Sequence, residues 1–295
     1  MELRVLEYFM AVTREQSILG AAESLHLTQP TLSRQLKDME DEPGKQLFIR
    51  SNRKITLTDE GMILRKRAQE ILELVRMTKD EISLSEEAVA GDIHIGAGET
   101  EGIRFLAKAA KALQTDYPKV HFHIMSGDKV TVTEQLDRGL LDFGLLFGDI
   151  DKSKYNSMKI PSRDKFGVLM RYDDPLAEKD ILTLDDIIDK PLIVSRQSAH
   201  DNELANIFKC EPERLNIAAT YSLIFNGSIM AEEGIGYVIG FDGIINTTGN
   251  SLLRFIPLKD QSEVKLQIVW KKYQIFTKAA EKFPEYLRKV CQSEV

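Results

Sequence analysis

The stretch from Ala21 to Glu40, AAESLHLTQPTLSRQLKDME, constrains what this chain can fold into more than any other. Apolar residues recur at helical spacing on both sides of a short polar break: Ala21, Ala22 and Leu25 before it, Leu32, Leu36 and Met39 after it. Two short helices joined through Leu27 and Thr28 satisfy that pattern, and both stripes close on one small core. Thr28 is placed as the N-cap of the second helix, with Gln29 at the first position and Pro30 just inside, where a missing N–H costs little. This helix turns Gln29, Thr31, Ser33, Arg34 and Lys37 toward water. A helix-turn-helix offers such a face to the major groove, its first turn touching base edges while flanking cations hold phosphates.

An ordinary helical hairpin with a solvated face would share this signal, so the following residues matter. Gly44 to Thr58, GKQLFIRSNRKITLT, reads as a short strand, a basic turn through Arg50, Ser51, Asn52, Arg53 and Lys54, and a second strand. A two-stranded wing whose cations are Arg50, Arg53 and Lys54 is suited to clamp phosphates beside a recognition helix. The candidate DNA-contacting residues are therefore Thr28, Gln29, Pro30, Thr31, Ser33, Arg34, Lys37, Arg50, Arg53 and Lys54, and the partner is double-stranded operator DNA.

The first ninety or so residues resemble the winged helix-turn-helix of the LysR-type transcriptional regulators. The resemblance rests on Leu6, Phe9 through Val12, Ser17, Ala21-Ala22, Leu25, Thr28-Gln29-Pro30, Ser33, Leu36 and Met39-Glu40. It continues through Gly44, Leu47-Phe48-Ile49-Arg50, Arg53 and Leu57-Thr58-Asp59-Glu60-Gly61. Two positions depart from the family pattern: Gln16 replaces the usual small residue before Ser17, and Pro43 stands where a helix-compatible apolar residue is preferred. Pro43 is expected to end the recognition helix early.

Glu2 to Arg14 reads as an amphipathic helix under the two DNA-facing ones. From Thr58 to about Glu87 the pattern changes to a near 3.5-residue period carried by Met62, Ala68, Ile71, Leu72, Val75 and Ile82, beginning at a Thr-Asp-Glu cap. A helix of roughly thirty residues reaches about 45 Å, too long for the small winged domain to cover. It either lies on the next domain or pairs with its copy in a second subunit. The resemblance implies the second, so these six residues are the expected dimer seam, with a tetramer formed through the C-terminal domains as the further implied assembly.

From Asp92 strands and helices alternate, which predicts a parallel sheet with crossover helices. The strands are Asp92–Gly98, Val120–Met125 and Leu141–Phe147, with helices over Gly102–Thr115 and Thr131–Gly139 between them. After Pro161 the theme restarts with strands at Phe166–Arg171, Leu192–Ser195 and Tyr237–Gly240, and helices at Leu184–Ile188, Asp201–Phe208 and Ser222–Glu233. A strand over Lys265–Trp270 and a helix over Thr277–Val290 close the chain. Glu134-Gln-Leu, Gly139 to Leu145, Asp174 to Ala177, Pro191 to Ile193 and Glu233 to Gly236 resemble the effector domain of the same family. That likeness implies a two-lobed α/β domain resembling periplasmic binding proteins. The expected plan is a multidomain α and α/β chain: a winged helix-turn-helix over 1–58, a linker and dimerisation helix over 59–89 and an effector domain over 90–295. Its first subdomain takes about 90–161 and 266–295, and the second about 162–265.

In an open α/β sheet a ligand sits beyond the C-terminal ends of the strands, beside helix N-termini. Gly98, Glu99, Thr100, Ser126, Asp128, Thr131, Phe147, Asp149, Ser195, Gln197 and Ser198 are placed around such a crevice. Hydroxyls at helix starts often serve only as N-caps, but four together, at Thr100, Thr131, Ser195 and Ser198, point to a small-molecule effector. Glu99, Asp128 and Asp149 on the rim favour a neutral or amine-bearing one.

Other readings are weaker. Gly96-Ala-Gly98-Glu-Thr-Glu-Gly102 follows a strand and opens a helix, in outline a dinucleotide fingerprint and hence a nicotinamide-dependent oxidoreductase. Its third glycine is one residue late, and Glu99 and Glu101 would repel a pyrophosphate. His121 and His123 alternate along a strand at a spacing that suits a metal, yet no third ligand is apparent, so neither metal nor cofactor is expected. No nucleophile elbow is present, so the chain is read as a non-enzyme. An effector-free architectural DNA binder is the remaining rival.

The net charge of −7 over 295 residues argues against a chain coated with nucleic acid, so binding rests on local cations engaged by two copies together. Cys210 and Cys291 have no CxxC context and read as idle thiols. Without an export segment or a long apolar run, a cytoplasmic location away from membranes is expected, with RNA polymerase as a further candidate partner.

Overall fold

The computed structural model describes residues 1–50, 54–83, 89–162, 164–200, 210–259 and 265–293. The chain divides into two compact units, Met1–Glu86 and Glu87–Val295. In the first, α1 (Leu3–Glu15), α2 (Ile18–Ser24) and α3 (Gln29–Asp41) close on a core holding Leu6, Phe9, Val12, Ala21, Ala22, Leu32, Leu36 and Met39. Phe9 is fully buried and meets Phe48 at 5.2 Å between ring centres. Burying such a side chain contributes about 2–3 kcal/mol.

Local signals set each boundary. The chain leaves α1 at Gln16 in a left-handed conformation (φ 52°), and the Ser17 hydroxyl caps α2 by accepting from Gly20 N at 3.2 Å. Thr28 caps α3 by accepting from Thr31 N at 3.4 Å. Helix α3 stops at Asp41, two residues short of Pro43: Glu42 keeps helical angles and donates to Asp38 O, but Pro43 has no N–H to carry the ladder further. The wing is an antiparallel hairpin of β1 (Phe48–Arg50) and β2 (Ile55–Leu57), with Phe48 opposite Leu57. Glu40, in the last turn of α3, holds it in place by accepting from Leu47 N (2.8 Å) and Phe48 N (3.2 Å).

Helix α4 (Asp59–Ser83) follows, its first turn capped by Thr58, which accepts from Gly61 N at 3.0 Å. Its 25 residues span about 38 Å. The apolar stripe expected to form one seam is split between two faces. Ala68 is fully buried in the core of its own unit and Leu72 packs partly against that core, as does Leu64. Ala68 is therefore removed from the seam: its position facing α1 leaves nothing for a second subunit to touch. Met62 (55% exposed), Ile71 (38%) and Ile82 (78%) remain at the surface, with Ile63 and Leu74 beside them, and Val75 is half-buried.

The second unit contains two five-stranded sheets. The first has the order β4-β3-β5-β12-β6, from β3 (Gly91–Ala97), β4 (Val120–Ser126), β5 (Phe143–Phe147), β6 (Tyr155–Ile160) and β12 (Leu266–Lys271). The second has the order β11-β7-β10-β8-β9, from β7 (Phe166–Arg171), β8 (Leu192–Ser195), β9 (Ile217–Tyr221), β10 (Tyr237–Phe241) and β11 (Leu253–Pro257). The chain crosses between the sheets after Ile160 and again after Pro257, so its C-terminal strand and helix return to the first.

Both sheets are mixed rather than parallel. Strands β4, β3 and β5 run together, but β12 enters antiparallel between β5 and β6, and β7 lies antiparallel to β10 and β11. The periodicity missed β6, β9 and β11. Both β6 and β9 occupy sheet edges and are largely exposed; β6 carries polar residues at its centre, and β9 is a short Ile-Ala-Ala-Thr-Tyr run with small side chains that give no clear alternation. The helix expected over Asp201–Phe208 lies outside the described residues.

Helices α5 (Ile103–Asp116) and α10 (Lys278–Ser293) bury Leu106, Leu113, Phe283 and Leu287 against one face of the first sheet, while α6 (Lys129–Asp137) covers part of the other through Val132 and Leu136. Two of the three dinucleotide-like glycines, Gly96 and Gly102, are accounted for by this packing. A Cβ on Gly96 would stand 2.7 Å from Leu141 and 2.8 Å from Val132, and one on Gly102 would stand 2.1 Å from Leu266.

Candidate functional site

Two candidate sites arise, one in each unit. On α3, Leu32, Leu36 and Met39 face inward, which leaves Gln29, Pro30, Thr31, Arg34 and Lys37 exposed and Ser33 half-exposed. The polar residues of the first turn bond to one another: Gln29 Nε2 donates to Ser33 Oγ at 2.9 Å, and the Thr28 and Thr31 hydroxyls lie 2.8 Å apart. These bonds pre-set the rotamers, and a base edge can replace each at little cost. Lys54 is exposed at the start of β2. The backbone of Arg50 ends β1, while Arg53 lies outside the described residues.

The second site is a cavity of about 470 Å³ between the two lobes of the C-terminal unit. Gly98, Glu99, Ser126, Asp128, Thr131, Phe147, Ser195, Gln197 and Ser198 line it. Each follows a strand end or opens a helix, which is why the rule for open sheets found them.

Two expected residues lie elsewhere. Thr100 is buried, donating from Oγ1 to the Asp164 carboxylate at 2.8 Å and accepting from Gly102 N at 2.9 Å, so it anchors α5 to the crossing segment. Asp149 turns outward, its side chain 90% exposed and paired with Lys265 Nζ at 3.1 Å.

The sequence reading missed the apolar half of the lining: Leu145, Leu146, Phe166, Ile224, Ile239, Phe241 and Ile244, together with Tyr221, Ser222 and Leu223. Strand interiors look like ordinary core from sequence alone. Their alternation could have indicated which side chains share a face, but not that a second lobe stands opposite.

Four contacts join the lobes across the cavity. Glu99 Oε2 accepts from Ile224 N at 2.6 Å, at the start of α9 (Ile224–Glu232). Gln197 Oε1 accepts from Lys129 N at 3.1 Å, at the start of α6. Arg196 Nη2 stands 3.9 Å from Asp128 Oδ2, and the rings of Phe147 and Phe241 stack 4.5 Å apart.

These contacts revise the expected rim charge. Asp128 also caps α6 by accepting from Thr131 N at 2.8 Å, and hydrogen bonding from Thr131, aided by Arg196, holds its carboxyl below the usual range. With Glu99 on a helix amide, Asp128 capped and Asp149 turned away, the acids do not form an open cation site. Lys129 and Arg196 line the same cavity. Tyr221 is buried, which pushes its hydroxyl far up in pKa, so it stays a neutral donor and gives its proton to Ile239 O at 2.8 Å. Ser195 Oγ accepts from Ser198 N at 3.0 Å and donates to Ser198 Oγ at 2.7 Å, fixing the entry to α8 (Arg196–His200).

Comparison with known proteins adds independent findings. Residues 3–62 match the family model described as bacterial regulatory helix-turn-helix protein, lysR family, and residues 86–292 match the LysR substrate binding domain. The chain is 31% identical over 195 residues to the hydrogen peroxide-inducible genes activator of Dickeya chrysanthemi, covering 66% of this chain and 63% of that protein. The DNA-binding transcriptional dual regulator OxyR of Escherichia coli K12 matches to the same extent. The match thus spans less than two thirds of either relative. The uncharacterized regulator YybE of Bacillus subtilis is 28% identical over 300 residues, covering 97% of this chain and 98% of that one. Among solved structures, CbnR in complex with its target DNA superposes with a TM-score of 0.77 at 19% identity, over 98% of this chain and all of that one. Full-length BenM gives 0.56 at 24% identity, over 100% and 98%.

Proposed function

This chain belongs to the LysR family of bacterial regulators, and from that premise we propose that it is a sequence-specific, DNA-binding transcriptional regulator controlled by a small molecule held between its two C-terminal lobes. The observation that carries the reading is the presence, in one chain, of an exposed polar face on α3 and a largely apolar cleft crossed by lobe-bridging contacts.

In this reading Gln29 and Ser33 exchange their mutual bond for base edges, Pro30 and Thr31 offer apolar contact to a thymine methyl, and Arg34, Lys37, Arg50, Arg53 and Lys54 hold phosphates. Two subunits pair through Met62, Ile71, Val75 and Ile82 on α4, and tetramers form through the C-terminal units. The effector has an apolar body and a neutral hydrogen-bonding head, matching the aromatic and aliphatic lining and the ring of Ser126, Thr131, Ser195 and Ser198. It acts by population shift: a ligand that favours the joined lobes changes how the subunits present α3. RNA polymerase is a partner of the DNA-bound form, and the cytoplasm is the compartment that this role requires. No described helix is long and apolar enough to cross a membrane. We assign no catalytic step, because Gly96 and Gly102 of the GAGETEG segment serve packing and Gly98 lines the cavity.

Two measurements test this reading. Sequencing random duplexes retained by the purified protein should return a motif, and enrichment without a motif would favour an architectural binder. A thermal-shift panel of metabolites should return a hit that Gly98→Leu abolishes. The Cβ position at Gly98 has Phe147 at 3.8 Å as its nearest side-chain neighbour, so the substituent enters the cavity. A hit that survives this substitution would place the effector elsewhere.

A further inference from the structure

On the face of the first sheet partly covered by α6, four residues of two adjacent strands come together away from the cavity. Strands β3 and β4 are parallel and in register, with Asp92 beside His121 and His94 beside His123. Because side chains alternate along a strand, all four project from one face. The opposite face carries Ile93 and Ile95 into the core. Toward the C-terminal ends of the strands Val132 and Leu136 of α6 close this face over Gly96 and Gly144. Before that point His123 is half-exposed and Asp92 partly exposed, while His94 is largely covered.

Ligand atoms of Asp92, His94 and His123 all lie within 4.8 Å of one another. His123 Nε2 is 3.4 Å from Asp92 Oδ1, and the His94 and His123 rings stack 4.8 Å apart at 15°. Behind them Asp142 accepts from His94 N at 2.8 Å through its Oδ2, which also lies 3.9 Å from His94 Nδ1. Asp142 thus fixes the backbone that carries His94, and its carboxylate stands near the imidazole without hydrogen-bonding the ring. Two of the three ligands, Asp92 and His94, are thus supplied by β3, which the sequence did not reveal.

We propose that Asp92, His94 and His123 form a binding site for one first-row divalent transition-metal ion on the β3–β4 face. Two imidazoles and one carboxylate suit Zn²⁺ and its neighbours rather than Mg²⁺ or Ca²⁺, which take oxygen ligands. Metal–ligand bonds of about 2.0–2.2 Å require the three side chains to draw together from their present spacing. His123 is half-exposed and has the freedom to do so, whereas His94 and Asp142 are held by the strand. Water completes the coordination. His121, whose Nδ1 lies 3.7 Å from Asp92 Oδ1, stands one rung back and is outside the ligand set. Along the strands Asp92 stands about 20 Å from Gly98 at the effector cavity, and His123, three residues before Ser126, about 10 Å from it. Bound metal would staple the edge strand β4 to β3.

The test is calorimetric titration of Zn²⁺ into the chelator-treated, tag-free full-length protein. The expected result is one ion per chain at micromolar dissociation constant or tighter, with an upward shift in melting temperature. His123→Gln and Asp92→Asn, both at partly exposed positions where folding should survive, should each weaken binding by about tenfold or more, while His121→Gln should change it by less than about threefold. Cu²⁺ loaded in place of Zn²⁺ should show coupling to two imidazole nitrogens by electron paramagnetic resonance, falling to one in His123→Gln. Binding only at millimolar metal would overturn the proposal. So would affinity indifferent to His123→Gln and Asp92→Asn, or equal sensitivity to His121→Gln and His123→Gln.

Discussion

The face of α3 and the cavity of the C-terminal unit are built on opposite plans. The first is contiguous: Thr28 to Lys37 lie on one helix, so spacing alone says which side chains point together. The second is assembled from strand ends and helix starts of two lobes, as far apart in sequence as Gly98 and Phe241. A contiguous site tolerates exchange of its side chains because the helix is held from behind by Leu32, Leu36 and Met39. A discontiguous one depends on the bridges between its halves, here Glu99 to Ile224 and Lys129 to Gln197. On the proposed function, specificity in the first is therefore separable from folding, whereas in the second ligand binding and lobe arrangement are one equilibrium.

The largest effect should come from the helix that follows the wing. Ala68→Asp puts an unpaired charge into the core of the N-terminal unit, at a cost of several kcal/mol, and calorimetry should show that unit melting early while the C-terminal unit is unchanged. The double variant Ile71→Asp, Val75→Asp acts on the outer face. It should leave both melting transitions in place, yet sediment with one dimer contact missing and lose operator binding. If the double variant assembles and binds DNA normally, the long helix is covered within its own subunit.

Next in size is the reading face. Gln29→Ala should reduce discrimination by about 1–3 kcal/mol at each affected base pair without altering the melting of either unit. Equal weakening on specific and random duplexes would mean that Gln29 reads no base. Arg34→Ala should lower the slope of log affinity against log salt by about 0.9 and leave sequence preference intact. An unchanged slope would remove Arg34 from the phosphate contacts.

The smallest effect tests the discontiguous site. With its carboxyl held low by Thr131, Asp128 contributes stability in full above the ordinary carboxylate range, and this fades as pH falls through the depressed value. Asp128→Ala should therefore cost about 1 kcal/mol at pH 7 as a lost cap, with the gap from the parent closing below about pH 4. A gap that stays constant down to pH 2 would show that the carboxylate is not what caps α6.

Legibility followed the same division. Thr28, Pro43 and Thr58 acted within a few residues of themselves, so both ends of α3 and the start of α4 could be read directly. Ala68 could not be assigned, because a period near 3.5 does not say which of two faces meets its own domain and which meets a partner. In the C-terminal unit the strand ends were readable from alternation and helix caps, and Gly98, Ser126, Thr131, Ser195 and Ser198, picked out by that rule, line the cavity. Thr100 obeyed the same local rule but turned inward to Asp164, a residue sixty-four positions away. Asp92 and His94 escaped notice as partners of His123 because the register between parallel strands is a long-range fact.

The central claim is that two α3 helices, held at a fixed separation by paired α4 helices, read DNA together. Fluorescence anisotropy titrations of the full-length protein on duplexes carrying one selected half-site, two half-sites, or two half-sites with five extra base pairs between them test this directly. Two correctly spaced half-sites should bind far more tightly than one, and the half-turn insertion should return affinity close to the single-site value, because it rotates the second groove away from its reader. Equal affinity for all three duplexes would contradict the claim.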